Sequence, residues 1–407
     1  MPADSAAQFP IPPHVPPELV GHFPFGYGAT TDEIPWKRLV PDFCKGPDII
    51  YAPNVMHSGA PGWVPRRAAD LRAIYLDAEH FTSAKMAPFA PLIGEDWLVL
   101  PLEGGGDDHA RYRMLLNPMF GPKSITGMES RLHGFARAYA ESFRDRGHCD
   151  VLKEFTTEFP IRVFLDLMGM PQERVAEFLK WEEDLLHSPD LATLQRATKD
   201  VSDYLRSEIQ VRRKKPGEDL ITVAVAANKD GKLSEDEILG ICFNLFIGGM
   251  ETVSTNSVWQ FYHLATHPEH QRQLRADPSL LPGAVEEMLR FYASVMTMRT
   301  CIKEVQIAGV TMMPGDFVAM TTALGAHDDR EYENPEEIRF DRHPRALSFG
   351  SGRHLCLGAH LARREMRIAL QEFLDVIPEF RLQEGAKIHC HLHTGFNPDT
   401  MPLVWNV

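Results

Sequence analysis

The sequence predicts a mostly α-helical fold with a minor antiparallel β-sheet. Three observations lead there. From residue 125 to 290 apolar residues recur at helical spacing. Inside that span one pattern opens at Ser234 and runs to about His267 without a proline. After Arg290 the texture changes, and residues 297–322 form short strand-like runs broken by Gly309 and the turn Met313-Pro-Gly-Asp316.

The elements follow in order. Residues 1–30 read as an irregular N-terminal extension trailing over the surface, and 31–407 as a single domain, since no linker, charge block or repeat divides the 407 residues. Trp63 to Pro65 reads as a strand and Ala68 to Leu76 as a helix. Residues 84–107, rich in Pro and Gly, predict a long shaped loop of the kind that carries ligand contacts. His109 opens a helix to about Asn117. Ser234 with Glu237 makes a capping box, and thirty-odd residues at helical rise span about 50 Å. The middle of that helix, Ile241 to Ile247, is apolar nearly all round, as a buried helix should be. Residues 328–348 are irregular, a helix runs from about Gly358 to Val376, and strands and turns close the chain.

A net charge of −14 argues against general nucleic-acid binding. The N-terminus lacks the charged start and apolar core of a signal peptide. No run of about 20 apolar residues predicts a membrane span. The six cysteines, Cys44, Cys149, Cys242, Cys301, Cys356 and Cys390, lie far apart with no C-x-x-C pair. That excludes a zinc ribbon or disulfide framework and points to a reducing, cytoplasmic setting. Five of them read as small buried hydrophobes.

Cys356 is different. It stands in Phe349-Gly-Ser-Gly-Arg-His-Leu-Cys356-Leu-Gly358. Gly350 and Gly352 allow positive φ and a tight bend. A thiol just before a helix feels backbone N–H groups and the positive dipole end, which favour thiolate. Gly358 leaves room for a flat macrocycle against the backbone, and Phe349 could pack beneath it. A lone cysteine near a helix start is ordinarily a core residue; this spacing of Phe, three glycines, His and Cys is not.

This loop resembles the haem-binding signature of the cytochrome P-450 superfamily. Glu287-Met-Leu-Arg290 and Asn334-Pro-x-x-x-x-Phe340-x-Arg342 resemble its other motifs. From residue 60 onward the likeness is closest to the bacterial camphor-hydroxylating family, through His80-Phe-Thr-Ser83, His360-Leu-Ala-Arg-Arg-Glu365 and Met401-Pro-Leu-Val-Trp405. The resemblance implies the trigonal-prism fold, with haem b between the long helix and the cysteine-loop helix. It implies Cys356 as axial thiolate ligand of the iron, and Glu287, Arg290 and Arg342 as an ion network bracing the loop. Alone, Glu-x-x-Arg would be an ordinary helical salt bridge.

Gly248-Gly249-Met250-Glu251-Thr252 lies midway along the long helix. Two interior glycines cost roughly 1–2 kcal/mol relative to alanine. Helix packing could explain one; a groove for a diatomic ligand would explain both. The Thr252 hydroxyl can bond the Gly248 carbonyl. Splitting dioxygen needs protons, which a hydroxyl can position and a carboxylate relay. Thr252 and Glu251 resemble the family's alcohol–acid pair, with Glu where the camphor family has Asp.

By resemblance His109, Arg113, Arg299 and His354 hold the two haem propionates, carboxylates that need cations or donors. The resemblance also implies electrons from a small [2Fe–2S] ferredoxin, itself reduced by a separate flavin ferredoxin reductase. That acidic partner would dock on a cysteine face with Arg72, Arg113, Arg345, Arg353 and Arg364. By position Phe89, Trp97, Leu102, Asn244, Ile247, Gly248, Val295, Met296, Thr297 and Thr394 should face the substrate. Trp97 stands where the camphor family has a tyrosine hydroxyl, and its indole can donate a hydrogen bond. An apolar pocket with one or two polar groups suits a small terpenoid, monoterpenoid or ionone-like norisoprenoid. The expected protein is a monomeric, ferredoxin-dependent monooxygenase; a haem-thiolate sensor, a peroxide-driven enzyme and a camphor hydroxylase proper are the alternatives.

Overall fold

A computed structural model describes residues 10–407 except 27, 57, 189, 393 and 394. The long helix is Glu235–Thr266, and Ser234 caps it as the sequence predicts. The Ser234 hydroxyl accepts from the Glu237 N–H at 3.2 Å, and the Glu237 carboxylate accepts from the Ser234 N–H at 2.6 Å. Ile241, Cys242, Phe243, Leu245 and Phe246 are buried, while Asn244 and Ile247 are half-buried. This helix alone is long and apolar enough to cross a membrane among the described residues, and its apolar stretch lies mostly inside the protein.

Helices gather around it. Glu158–Met168, Val175–Leu186, Leu191–Lys214, Leu220–Lys229 and Leu281–Phe291 contact it, as does Ala359–Val376, the helix that follows the cysteine loop. Gln260 Nε2 reaches the Met366 sulfur at 3.2 Å across that last contact. Ala359–Val376 also packs extensively on Pro122–Arg144, whose buried face recurs at Ile125, Met128, Leu132, Ala136 and Ala140. The helix expected from His109 starts earlier, at Gly106, and ends at Leu116. Ala68–Leu76 matches expectation.

The main sheet has five strands in the order Ile49–Ala52, Gly62–Pro65, Phe317–Thr321, Met296–Cys301, Phe81–Thr82. It is not wholly antiparallel: Gly62–Pro65 runs parallel to Phe317–Thr321. Most of the helices lie between those two strands in sequence, and a long helical crossover permits the parallel register. Among the described residues, three smaller sheets are antiparallel. One joins Thr30–Thr31, Cys390–Leu392 and Phe396–Pro398.

The described part of the extension is irregular but does not trail. Phe25 is fully buried and stacks on Phe396, with ring centroids 5.0 Å apart. Phe23 and Val15 are buried too. Aromatic anchors in an otherwise polar, proline-rich stretch hold it down.

Candidate active site

The cysteine loop bends as its glycines require. Gly350 and Gly352 have φ of 69° and 68°. The Cys356 N–H returns to the Phe349 carbonyl at 2.9 Å, and Arg363 lies over the Phe349 ring, 4.4 Å from its centroid. Cys356 is exposed, and so are Gly248 and Thr252 in the middle of the mostly buried long helix. Burial pushes the Cys356 thiol up, while the Gly358 N–H, Arg113 and Arg363 oppose the shift. Desolvation thus outweighs the donors in the protein alone, and the thiolate needs a cation beside it. Four of the other five cysteines are buried as expected, and Cys44 is not. Cys149, Cys242, Cys301 and Cys390 are buried and Cys44 is half-buried.

Asn244, Gly248 and Thr252 share a face at four-residue intervals. The Thr252 hydroxyl donates to the Gly248 carbonyl at 3.1 Å. The two glycines have different causes. A Cβ on Gly249 would fall 2.6 Å from the Phe164 ring, whereas one on Gly248 would meet nothing within 4 Å. Packing explains Gly249; open space explains Gly248.

Glu251 is held from two sides. Asn397 donates to its Oε1 at 2.7 Å, and His187 Nε2 stands 3.1 Å from the same oxygen. Burial works against the His187 charge, but the Glu251 carboxylate prevails and carries its pKa up to about 9. Nearby Glu182 is buried, and burial with repulsion from Glu251 raises it to about 8. Sequence reasoning missed His187, Glu182 and Asn397; they sit 60 or more residues away and no local motif marks them.

Glu287, Arg290 and Arg342 do meet. Glu287 and Arg290 are fully buried and paired at 2.7 Å, and Arg342 Nε reaches Glu287 Oε1 at 2.8 Å. Arg290 also donates to the carbonyls of Ala326, Pro335 and Glu337.

His109, Arg113, Arg299 and His354 converge. The His109 and His354 rings are 4.4 Å apart. Burial first, then the neighbouring cations, depresses His109 to about 4 and His354 to about 3. Arg113 donates to the Leu355 carbonyl at 2.8 Å and buried Arg299 to that of Met298 at 2.7 Å. Among the described residues neither guanidinium pairs with a carboxylate. A buried cation without a counter-ion fits a ligand that brings two carboxylates. The position of a Cβ on Gly358 has only the Cys356 sulfur nearby, at 4.0 Å, which fits a flat group laid against the backbone. These observations suit haem.

The model of the cytochrome P450 family matches residues 161–389. The chain belongs to the cytochrome P450 family. Members bind haem b through a cysteine thiolate, and this P450 is a haem-thiolate monooxygenase of that fold. It is 35% identical over 403 residues to a probable cytochrome P450 127A1 of Sinorhizobium fredii, covering 97% of each chain. It is 30% identical over 302 residues to a steroid C26-monooxygenase of Mycobacterium tuberculosis, covering 71% of this chain and 81% of that one. The structures of CYP101C1 and CYP101J2 superpose with TM-scores of 0.86 and 0.85, each at 29% identity, covering 98% and 97% of this P450 and all of theirs.

The substrate candidates divide. Phe89 and Trp97 are buried and pack on Phe243, with centroids 5.1 and 4.8 Å away. The Trp97 indole N–H is already donated to Glu95 at 2.6 Å, so Trp97 does not offer the polar handle its position suggested. Leu102 is 41% exposed. Val295 and Thr297 are half-buried and Met296 is buried, and the Thr297 hydroxyl is engaged with Tyr75 at 3.0 Å. Thr394 lies outside the described residues. Glu103, only 4% exposed, ties the loop together by accepting from the N–H groups of Ala87 and Val99, both at 2.9 Å. The Leu100 N–H meets the Gly240 carbonyl at 3.2 Å, where a Cβ on Gly240 would strike the Leu98 carbonyl.

The five arginines expected on the cysteine face are not equivalent. Arg345 and Arg353 are exposed without an ion pair among the described residues. Arg72 is paired with Glu331 at 2.9 Å, and Arg364 shares Glu129 with Arg367 at 2.6 and 2.7 Å. The neighbouring carboxylates partly cancel the charge expected of those two.

Proposed function

We propose that this P450 hydroxylates an unactivated C–H bond of a small apolar terpenoid, a monoterpenoid or ionone-like norisoprenoid, in the cytoplasm. Electrons come from a [2Fe–2S] ferredoxin served by a flavin reductase. In the balance, R–H, O₂, two electrons and two protons give R–OH and water. Bound haem with its thiolate ligand supplies the oxygen activation. Cys356 is the ligand, and His109, Arg113, Arg299 and His354 hold the propionates.

The observation that carries the reading is the Thr252–Glu251 pair at the accessible Gly248 face of a buried helix. Thr252 places its hydroxyl oxygen there as an acceptor while its hydrogen goes to Gly248, and Glu251 is the carboxylate that serves it with protons. A sensor has no use for that pair. The aromatic wall of Phe89, Trp97 and Phe243, with Asn244 and Thr297 as polar points, suits a compact apolar substrate. With the Trp97 N–H engaged, a tyrosine-like contact to a camphor ketone is missing, which favours another terpenoid.

The test combines three measurements. The reduced, CO-bound protein should show the red-shifted thiolate Soret band. A terpenoid panel should contain a compound that shifts the haem spin state. That compound should be hydroxylated with NADH, ferredoxin and reductase. Spin shift without product would favour a sensor, and failure of every terpenoid alongside shifts by another class would refute the substrate assignment.

A further inference from the structure

At one end of the three-stranded sheet, His389, His391 and Asp399 each present a possible ligand atom, all within 4.8 Å of one another. The register explains the meeting. His389 immediately precedes the strand Cys390–Leu392, and two residues from His391 it falls on the same face. Cys390 pairs with Pro398 and with Thr31, which puts both Asp399 and Asp32 beside His389 on the neighbouring strands. The Asp399 N–H to His389 carbonyl bond of 2.9 Å continues that register.

The side chains are already paired. His391 Nε2 lies 3.0 Å from Asp399, and His389 Nδ1 lies 2.7 Å from Asp32. No Lys or Arg pairs with either carboxylate among the described residues. Two carboxylates and two imidazoles thus converge without a fixed cation.

We propose that His389, His391 and Asp399 form a site for a borderline divalent cation of the zinc type, with Asp32 orienting the His389 ring. Two imidazoles and a carboxylate are a ligand set that zinc accepts, at about 2.0–2.2 Å per bond. Closing around the ion requires the ligand atoms to draw in by roughly 1 Å, which half-exposed side chains can do by small torsions. A carboxylate on the far ring nitrogen is the usual support of a histidine ligand; Asp32 on Nδ1 leaves Nε2 of His389 for the metal. The site would tie the Thr30–Thr31 strand to the hairpin that carries Asn397, and Asn397 pairs in register with His391 and holds Glu251.

The experiment is calorimetric titration of untagged, haem-loaded, full-length protein with zinc chloride at neutral pH. One ion per chain should bind. The double variant His389→Gln/His391→Gln should abolish that uptake, and Asp32→Asn should weaken it by about tenfold. An unchanged haem spectrum and circular dichroism show that the variants are folded. Absence of saturable one-to-one uptake, or uptake that survives in the folded double variant, overturns the proposal.

Discussion

His187 Nε2 stands 3.1 Å from Glu251 Oε1, so the end of the Val175–Leu186 helix is tied to the acid of the long helix. The tie sets a pH dependence. His187 titrates at about 9, above the ordinary 6.5, so its contribution to stability is full below about pH 6.5 and is lost as pH rises through 9. His187→Gln should cost on the order of 2 kcal/mol at pH 6, and the difference should close by about pH 10. Urea unfolding across that range measures it.

Glu182 carries the opposite liability. Its carboxyl titrates at about 8 rather than 4.5, so the native state prefers it protonated and loses stability as pH climbs between those values. Glu182→Gln keeps the neutral shape. It should match the parent near pH 5 and exceed it by roughly 2–4 kcal/mol at pH 9, read by the same unfolding series.

The adjacent glycines should answer differently to the same change. Gly249→Ala drives a methyl into Phe164 and should destabilise by about 1–3 kcal/mol. Gly248→Ala meets open space and should gain up to about 1 kcal/mol of helix propensity. It should nevertheless impair CO binding to the reduced protein, because the methyl enters the accessible face. Thermal unfolding and CO titration separate the two.

Removing Glu287 strands two guanidiniums around a fully buried position. Glu287→Ala should cost about 3–5 kcal/mol and lower haem content on purification. Unfolding free energy and the haem-to-protein absorbance ratio report both.

The proposed catalytic and docking roles give one contrast each. Thr252→Ala should keep haem and the substrate spin shift while product falls by about tenfold or more and hydrogen peroxide rises. Arg353→Ala and Arg345→Ala should raise the KM for ferredoxin with less effect at high salt. Arg72→Ala should change it less, because Glu331 already offsets that charge.

Where side chains act through local spacing, the sequence was readable. The capping box of Ser234 and Glu237, the Thr252 to Gly248 bond and the φ of Gly350 and Gly352 are all set within a few residues. The Glu287–Arg342 contact spans 55 residues and was legible only through resemblance. What escaped notice depends on tertiary partners. Trp97 lost its donor to Glu95, Arg364 its free charge to Glu129, and Glu251 gained His187 and Asn397. The parallel strand pair escaped too, because strand direction is decided by the crossover and not by the strands' own alternation.

Glu103 closes residues 87–99 into a ring through a single carboxylate, and Gly240 seats the far side of that ring on the long helix. The stretch between can then be exchanged as a cassette. New residues at its tip would reshape what the enzyme accepts while the clasp and the seat stay put, so selectivity can drift without rebuilding the machinery beneath it.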